Sequence, residues 1–309
     1  MISLREALED YLRIRRQLGF RLEQDGRLLE SFIGFLEQAG ALHITTDLAL
    51  AWARLPVQAH PYRWRERLGI ARGFARYLAA IDPDSEIPSK DLLPAHRPRV
   101  TPYIYSQAEI AALMRAARTL TPPLRAATHQ TMIGLLAASG MRDGEVLALD
   151  RDDVDLRDGA LHLRAAKRGR QREVPLHQST TTALRRYARL RDRHWPRPQT
   201  PAFFLGWHGR RLTQRTFERT FVELVGKTGI QGRGARCRPR AHDLRHTFAV
   251  ATLLDWYRAG VDVDRRMPLL STYLGHARVE DTYWYLQAAP ELLALVSGRL
   301  DPLQQEEHS

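Results

Sequence analysis

Cysteine is almost absent. The 309 residues hold one thiol, Cys237, which excludes an internal disulfide and any zinc site built from several cysteines. It sits in a basic loop (Arg236, Cys237, Arg238) beside a proline, and a nucleophilic role is not expected of it. Long apolar runs are missing too. No stretch of about 18 apolar residues occurs, so no transmembrane helix is expected. The opening MISLREALEDYLRIRRQ is charged and amphipathic, without the apolar stretch and cleavage site of a signal peptide. The expected location is therefore cytoplasmic. Metal motifs are lacking: there is no D-x-[DN]-x-[DN]-G loop and no H-E-x-x-H. No metal or other cofactor is expected, and neither internal repeats nor low-complexity tracts occur.

Positive charge is abundant. Lys and Arg number 47 against 35 Asp and Glu, for a net charge of +12. A protein this basic commonly meets a polyanion, and nucleic acid leads, because Lys and Arg neutralise phosphates and release counterions. A well-solvated basic surface is the ordinary alternative.

The length favours two domains. Residues 3 to 80 read as helices. Leu4, Leu8, Tyr11 and Leu12 follow a helical period, as do Leu28, Leu29, Phe32, Ile33 and Leu36. Thr46 and Asp47 are cap candidates for a short third helix. A fourth spans about Pro61 to Ala80 and carries Arg63, Arg65, Arg67, Arg72 and Arg76, candidates for gripping a DNA backbone. Pro83, Pro88, Pro94, Pro98 and Pro102 then mark a stiff, extended linker. The expected division is a helical domain over 1–81, a linker over 82–101 and a mixed domain over 102–309. In the last, Ser106 with Glu109 makes a capping box, and a helix covers about Pro123 to Ser139. Leu161, Leu163, Val174 and Leu176 alternate with polar residues, as strands do, around a turn at Gly169. Helices are expected at about 178–194, 213–227, 242–258, 266–274 and 278–298. The fold class is mainly α with a small antiparallel sheet.

Four clusters carry candidate chemistry. They are Arg142 with Glu145 three residues on, Lys167 near the hairpin tip, His242-Asp243-Leu244-Arg245-His246, and Leu274-Gly275-His276 followed by Tyr283-Trp284-Tyr285. Singly, each has an ordinary structural reading as a helix-turn ion pair, a surface charge or a half-buried aromatic. Together, in this order, they suit transesterification at a DNA phosphodiester. Two arginines can clamp the non-bridging oxygens with charge-assisted bonds. A phenol, with reference pKa about 10, must lose its proton to attack, and a histidine can accept or position it. A lysine can return a proton to the leaving oxygen.

These residues resemble the tyrosine recombinases, or phage integrases. HDLRHTFA is similar to the family's H-x-L-R-H-[ST]-x-A box and SGMRDGEVLAL to its G-[LM]-R-x-x-E-[LV] box. LGHARVEDTYWYL resembles its L-G-H…T-x-x-Y end, and AKRGRQREVPL its G-K-G-x-K-x-R-x-x-P-L hairpin. The likeness runs from about Thr101 to Ala289. It implies a two-domain C-clamp on double-stranded DNA. Arg142 and Arg245 would clamp the phosphate, Lys167 act as general acid, and His242 handle the proton near the nucleophile. His276 would donate to the phosphate, Glu145 support the first arginine, and Tyr285 attack. Tyr283 competes with Tyr285, but residues two apart do not share a helix face, and the family spacing favours Tyr285. Arg168 and Arg170 stand near the lysine place and are both register alternatives and DNA-contact candidates. The family implies a tetramer on paired sites and a Holliday junction, with the segment after Tyr285 packing on a neighbouring subunit. Service to a mobile element is the expected context, and the use of partner recombinases stays open. Type IB topoisomerases, a non-cleaving accessory protein and a telomere resolvase are the competing readings.

Overall fold

The computed structural model describes residues 3–20, 22–94, 101–166, 170–234, 237–276 and 282–283, with the side chains of 164–166 and 170 left out. The chain divides into two compact units, Met1–Arg99 and Val100–Ser309.

Among the described residues, the first unit is built on four helices. Helix α1 (Leu4–Gln17) opens on a capping box in which the Ser3 hydroxyl accepts from the Glu6 amide and the Glu6 carboxylate accepts from the Ser3 amide. Helices α2 (Glu23–Gln38), α3 (Thr46–Arg54) and α4 (Pro61–Leu78) follow. Their apolar faces close on Leu8, Phe32, Ile33, Trp52 and Phe74, as the helical periodicity requires. The cap of α3 is Thr45, not the expected Thr46 or Asp47. Its side chain accepts from the Leu48 amide, while the Thr46 amide is engaged by Glu86 Oε2 at 2.7 Å.

The proline-rich stretch begins as part of this unit. Asp82 accepts from the Ser85 hydroxyl at 2.6 Å and pairs with His43 Nδ1 at 2.9 Å. The Glu86 amide donates to Ile44 O, and Leu93 is buried in the helical core. The α4 arginines are unlike one another. Arg65 donates to Leu93 O at 3.1 Å, and Arg67 donates to Trp52 O at 2.9 Å while stacking on the Trp52 ring. Both therefore hold the unit together. Arg63 pairs with Glu66, Arg72 is half-buried and Arg76 is exposed.

In the second unit α5 (Gln107–Arg118) starts on the Ser106–Glu109 capping box. Helix α6 (Pro123–Ser139) packs against α5, α8 and α10. A short α7 (Asp143–Ala148) leads into an antiparallel sheet of order β1-β2-β3, made of β1 (Val154–Asp155), β2 (Ala160–Ala166) and β3 (Arg170–Pro175). Then come α8 (Gln178–His194), α9 (Gln214–Thr228), α10 (Asp243–Arg258) and α11 (Val263–Leu274). Helix α11 starts three residues before the expected 266 because Asp262 caps it, accepting from the Arg265 amide at 3.1 Å. The helix expected over 278–298 lies outside the described residues, apart from Thr282 and Tyr283. Among the described residues no helix is long and apolar enough to cross a membrane.

Candidate active site

Two helix ends and two helix starts meet in the second unit. Helix α6 ends at Gly140 (φ +60°) and α11 at Gly275 (φ +68°), both in the left-handed region that glycine adopts without strain. The last carbonyls of a helix lack intrahelical partners and carry partial negative charge. Here arginines take them. Arg245, 2% exposed near the start of α10, donates from one terminal nitrogen to Gly140 O and from the other to Leu274 O, each at 2.8 Å. Arg142, at the N-terminal boundary of α7, donates to Gly275 O at 3.0 Å.

Glu145 fixes Arg142 from the other side. Its carboxylate accepts from the Arg142 amide at 3.0 Å and from the Arg142 guanidinium at 2.9 Å. It also accepts a forked pair of bonds from Arg172 on β3, at 3.1 and 2.7 Å. Burial pushes this carboxyl up, but the bonds from Arg172 and the Arg142 amide, together with both arginine charges, outweigh it. Its pKa is held below the usual carboxylate range.

Three histidines adjoin the arginines. His242 is exposed at the start of α10, and its ring meets that of His246 edge-on, 5.0 Å between centroids. His276 follows Gly275, and its Nδ1 lies 2.7 Å from the hydroxyl oxygen of the buried Thr282. Burial, then the charges of Arg245, Arg142 and Arg172, lower His276 to about 3. Burial and the neighbouring His242, Arg240 and Arg245 lower His246 to about 3 as well. Both rings are therefore neutral at physiological pH, in a pocket where the guanidinium groups of Arg142, Arg172 and Arg245 outnumber the Glu145 carboxylate. The pocket is arranged to receive an anion, which would relieve the mutual repulsion of these cations.

The structure thus brings Arg142, Glu145, Arg245 and His276 to the same two helix ends, with His242 one helical turn from His246. Lys167, Arg168 and Tyr285 lie outside the described residues, as does the side chain of Arg170. Sequence reasoning assigned no role to Arg172, His246 or Thr282. Arg172 was detectable, because it stands in phase with Val174 on β3. Val174 is 1% exposed opposite Leu161, which is fully buried. A charge at an inward strand position requires a buried partner.

The sequence matches the Phage integrase family over residues 104–291. It is 43% identical over 307 residues to the Sinorhizobium fredii protein y4rB, named for an integrase/recombinase, covering 97% of this chain and 98% of that one. It is 31% identical over 252 residues to tyrosine recombinase XerC of Azotobacter vinelandii, covering 81% of this chain and 78% of the relative. In fold it is similar to the XerH site-specific recombinase in a post-cleavage complex with its palindromic difH substrate, with TM-score 0.65 and 18% identity over 95% of this chain and 84% of that one. It is equally similar to the Tn1549 transposon integrase in complex with transposon right end DNA, with TM-score 0.65 and 17% identity over 98% and 100% of the two chains. With its arginine pocket and these relations together, the chain belongs to the phage integrase family, the tyrosine recombinases, enzymes that break and rejoin DNA strands at specific sites.

Proposed function

We propose that this recombinase cuts double-stranded DNA by attack of Tyr285 on a phosphodiester, forming a 3′-phosphotyrosyl link and a free 5′ hydroxyl, and serves a mobile element. The observation that carries the reading is the pair of arginines held by main-chain carbonyls beside His276. Arg142 and Arg245 neutralise the phosphate and stabilise the added charge of the pentavalent transition state, where preorganised donors count most. His276 donates to a phosphate oxygen. His242, on the exposed rim, takes the phenol proton, and Lys167 protonates the departing 5′ oxygen. The phosphotyrosyl bond conserves the energy of the bond it replaces, so rejoining needs no ATP.

Helical phase favours Tyr285 over Tyr283. Thr282 is buried and faces His276, whereas Tyr283 is 40% exposed. In the helix the sequence predicts over 278–298, the residue three positions after Thr282 would share its face and Tyr283 would not. The excess of positive charge and the DNA complexes of XerH and the Tn1549 integrase support double-stranded DNA as the partner. The transposon context of the latter supports the mobile-element reading. Arg63, Arg72 and Arg76 on α4, with Arg168 and Arg170, are proposed to meet the phosphate backbone. Arg65 and Arg67, already committed within the unit, contribute through their charge. Four protomers acting on two sites in turn through a Holliday junction complete the scheme.

The test uses nicked DNA carrying the junctions of the element that encodes the protein. It is incubated with wild type, Tyr285→Phe and Tyr283→Phe, and an adduct that survives SDS is sought. Loss of the adduct in Tyr285→Phe alone is expected. Loss in Tyr283→Phe alone would transfer the role to Tyr283. No adduct on tightly and specifically bound DNA would replace the proposal with a non-cleaving accessory role.

A further inference from the structure

The reaction as written leaves Arg172 unused, yet its placement is demanding. It is a charged residue on the inward face of β3, opposite Leu163, and its side chain is only 15% exposed. It spends both terminal nitrogens on both oxygens of Glu145. A Cβ added at Gly275 would run into its guanidinium. Arg172 therefore lies directly beneath the turn that sends Leu274 O to Arg245 and Gly275 O to Arg142.

Stability does not account for a charge here. Apolar residues of similar volume commonly replace a buried ion pair with no loss of stability. Charge accounting offers a reason. Glu145 contributes −1, and Arg142 and Arg172 contribute +1 each, which leaves the three groups at +1. The exposures show where that surplus sits. The Glu145 and Arg172 side chains are 10% and 15% exposed, and Arg142 is 37% exposed. The forked pair is sealed inside, and Arg142, bound to Glu145 through a single side-chain nitrogen, forms the open rim. Without Arg172 the carboxylate would face Arg142 alone. The two would close into a neutral pair, drawing the clamp away from its phosphate.

We propose that Arg172 is a positioning residue for strand cleavage, carrying the counter-charge of Glu145 so that Arg142 stays a net cation turned toward the scissile phosphate. The proposal rests on the recombinase reading above. The low pKa of Glu145, held there by Arg172 and Arg142 against burial, keeps the carboxylate charged and its need for a counter-ion constant across neutral pH.

The test compares wild type, Arg172→Gln, Glu145→Gln, the double variant and Arg172→Lys by two readouts. One is the single-turnover rate of adduct formation on nicked DNA. The other is calorimetric binding of orthovanadate, an oxyanion of phosphoryl shape, with Arg142→Ala as the control for its site. Arg172→Gln is expected to slow adduct formation roughly 100-fold and to weaken vanadate, as loss of a preorganised anion donor does. Adding Glu145→Gln removes the uncompensated carboxylate and is expected to restore at least about tenfold of the rate, with vanadate affinity rising in parallel. Arg172→Lys keeps the charge but loses the fork and is expected to fall between wild type and Arg172→Gln.

A double variant no faster than Arg172→Gln overturns the proposal, because a strut would lose more, not less, when its partner is also removed. Vanadate binding that is unchanged in Arg142→Ala overturns it too. Should Arg172→Gln fail to fold, Arg172→Lys decides: a loss as deep as that of Arg142→Ala rejects the charge role. If the vanadate pattern holds while specifically bound DNA yields no adduct, the cleavage reading falls and the role of Arg172 at the anion site stands.

Discussion

The contact between His276 and Thr282 sets a proton. A neutral imidazole donates from one ring nitrogen and accepts at the other, and the partner of one nitrogen selects the tautomer. When the Thr282 hydroxyl donates to Nδ1 across their 2.7 Å separation, Nε2 carries the hydrogen and can donate to a phosphate oxygen. Thr282→Val, nearly isosteric but without the hydroxyl, is expected to slow single-turnover cleavage by about tenfold, a loss in line with one charge-assisted bond. Thr282→Ser is expected to retain the rate. Equal rates in the two variants, with unchanged DNA affinity, would remove Thr282 from the tautomer. At this scale much of the site was legible in the sequence. Arg142, Glu145, Arg245 and His276 stood in recognisable boxes, and the structure joins them. Arg172 stood in the hairpin motif with no role assigned, although its phase with Val174 marked it as inward. Thr282 went unassigned because its partner lies six residues back, a separation no helical period connects.

The elements explain why two glycines matter. Helices α6 and α11 end at Gly140 and Gly275, and the carbonyls at those ends are the acceptors for Arg245 and Arg142. Alanine at Gly140 would meet both the positive φ and the Phe248 ring. Gly140→Ala is therefore expected to destabilise the protein by about 2 kcal/mol or more, read by chemical denaturation. At Gly275 the obstructing atoms belong to the Arg172 guanidinium. Gly275→Ala is expected to depress cleavage more than stability, because the displaced group is the one that pairs with Glu145. Equal and small effects at both glycines would contradict this. The helices and the hairpin were readable from periodicity and alternation, down to the Ser106–Glu109 capping box. The missed features depend on distant partners. Thr45 caps α3 while Glu86, 40 residues after Thr46, holds the next amide. Phe203, Phe204 and Leu205, read as part of no element, are buried, with Arg191 and Tyr187 on α8 bonded to the main chain of Phe203 and Leu205.

For the molecule as a whole, the histidines set a pH limit. His246 and His276 have folded-state values of about 3 against an ordinary 6.5. Below about pH 6.5 the unfolded chain takes up protons that the folded pocket refuses. Their contribution is complete above 6.5 and is lost as the pH falls toward 3, and the lowered Glu145 adds a further loss once the pH passes below its ordinary 4.5. The melting temperature is expected to decline from pH 6.5 downward, and His246→Gln is expected to flatten the upper part of that decline. An unchanged slope in His246→Gln would show that other groups govern it. The held arginines also bear on how this protein tolerates mutation. The acceptors that aim Arg245 and Arg142 are main-chain oxygens at Gly140, Leu274 and Gly275, and every amino acid supplies a main-chain oxygen. A side-chain replacement cannot delete them unless it reroutes the backbone. The aim of the clamp is therefore indifferent to most drift in the residues around it, and the positions at which inheritance can break it narrow to the arginines themselves, the Glu145 carboxylate with its Arg172 partner, and the two glycines that turn the chain.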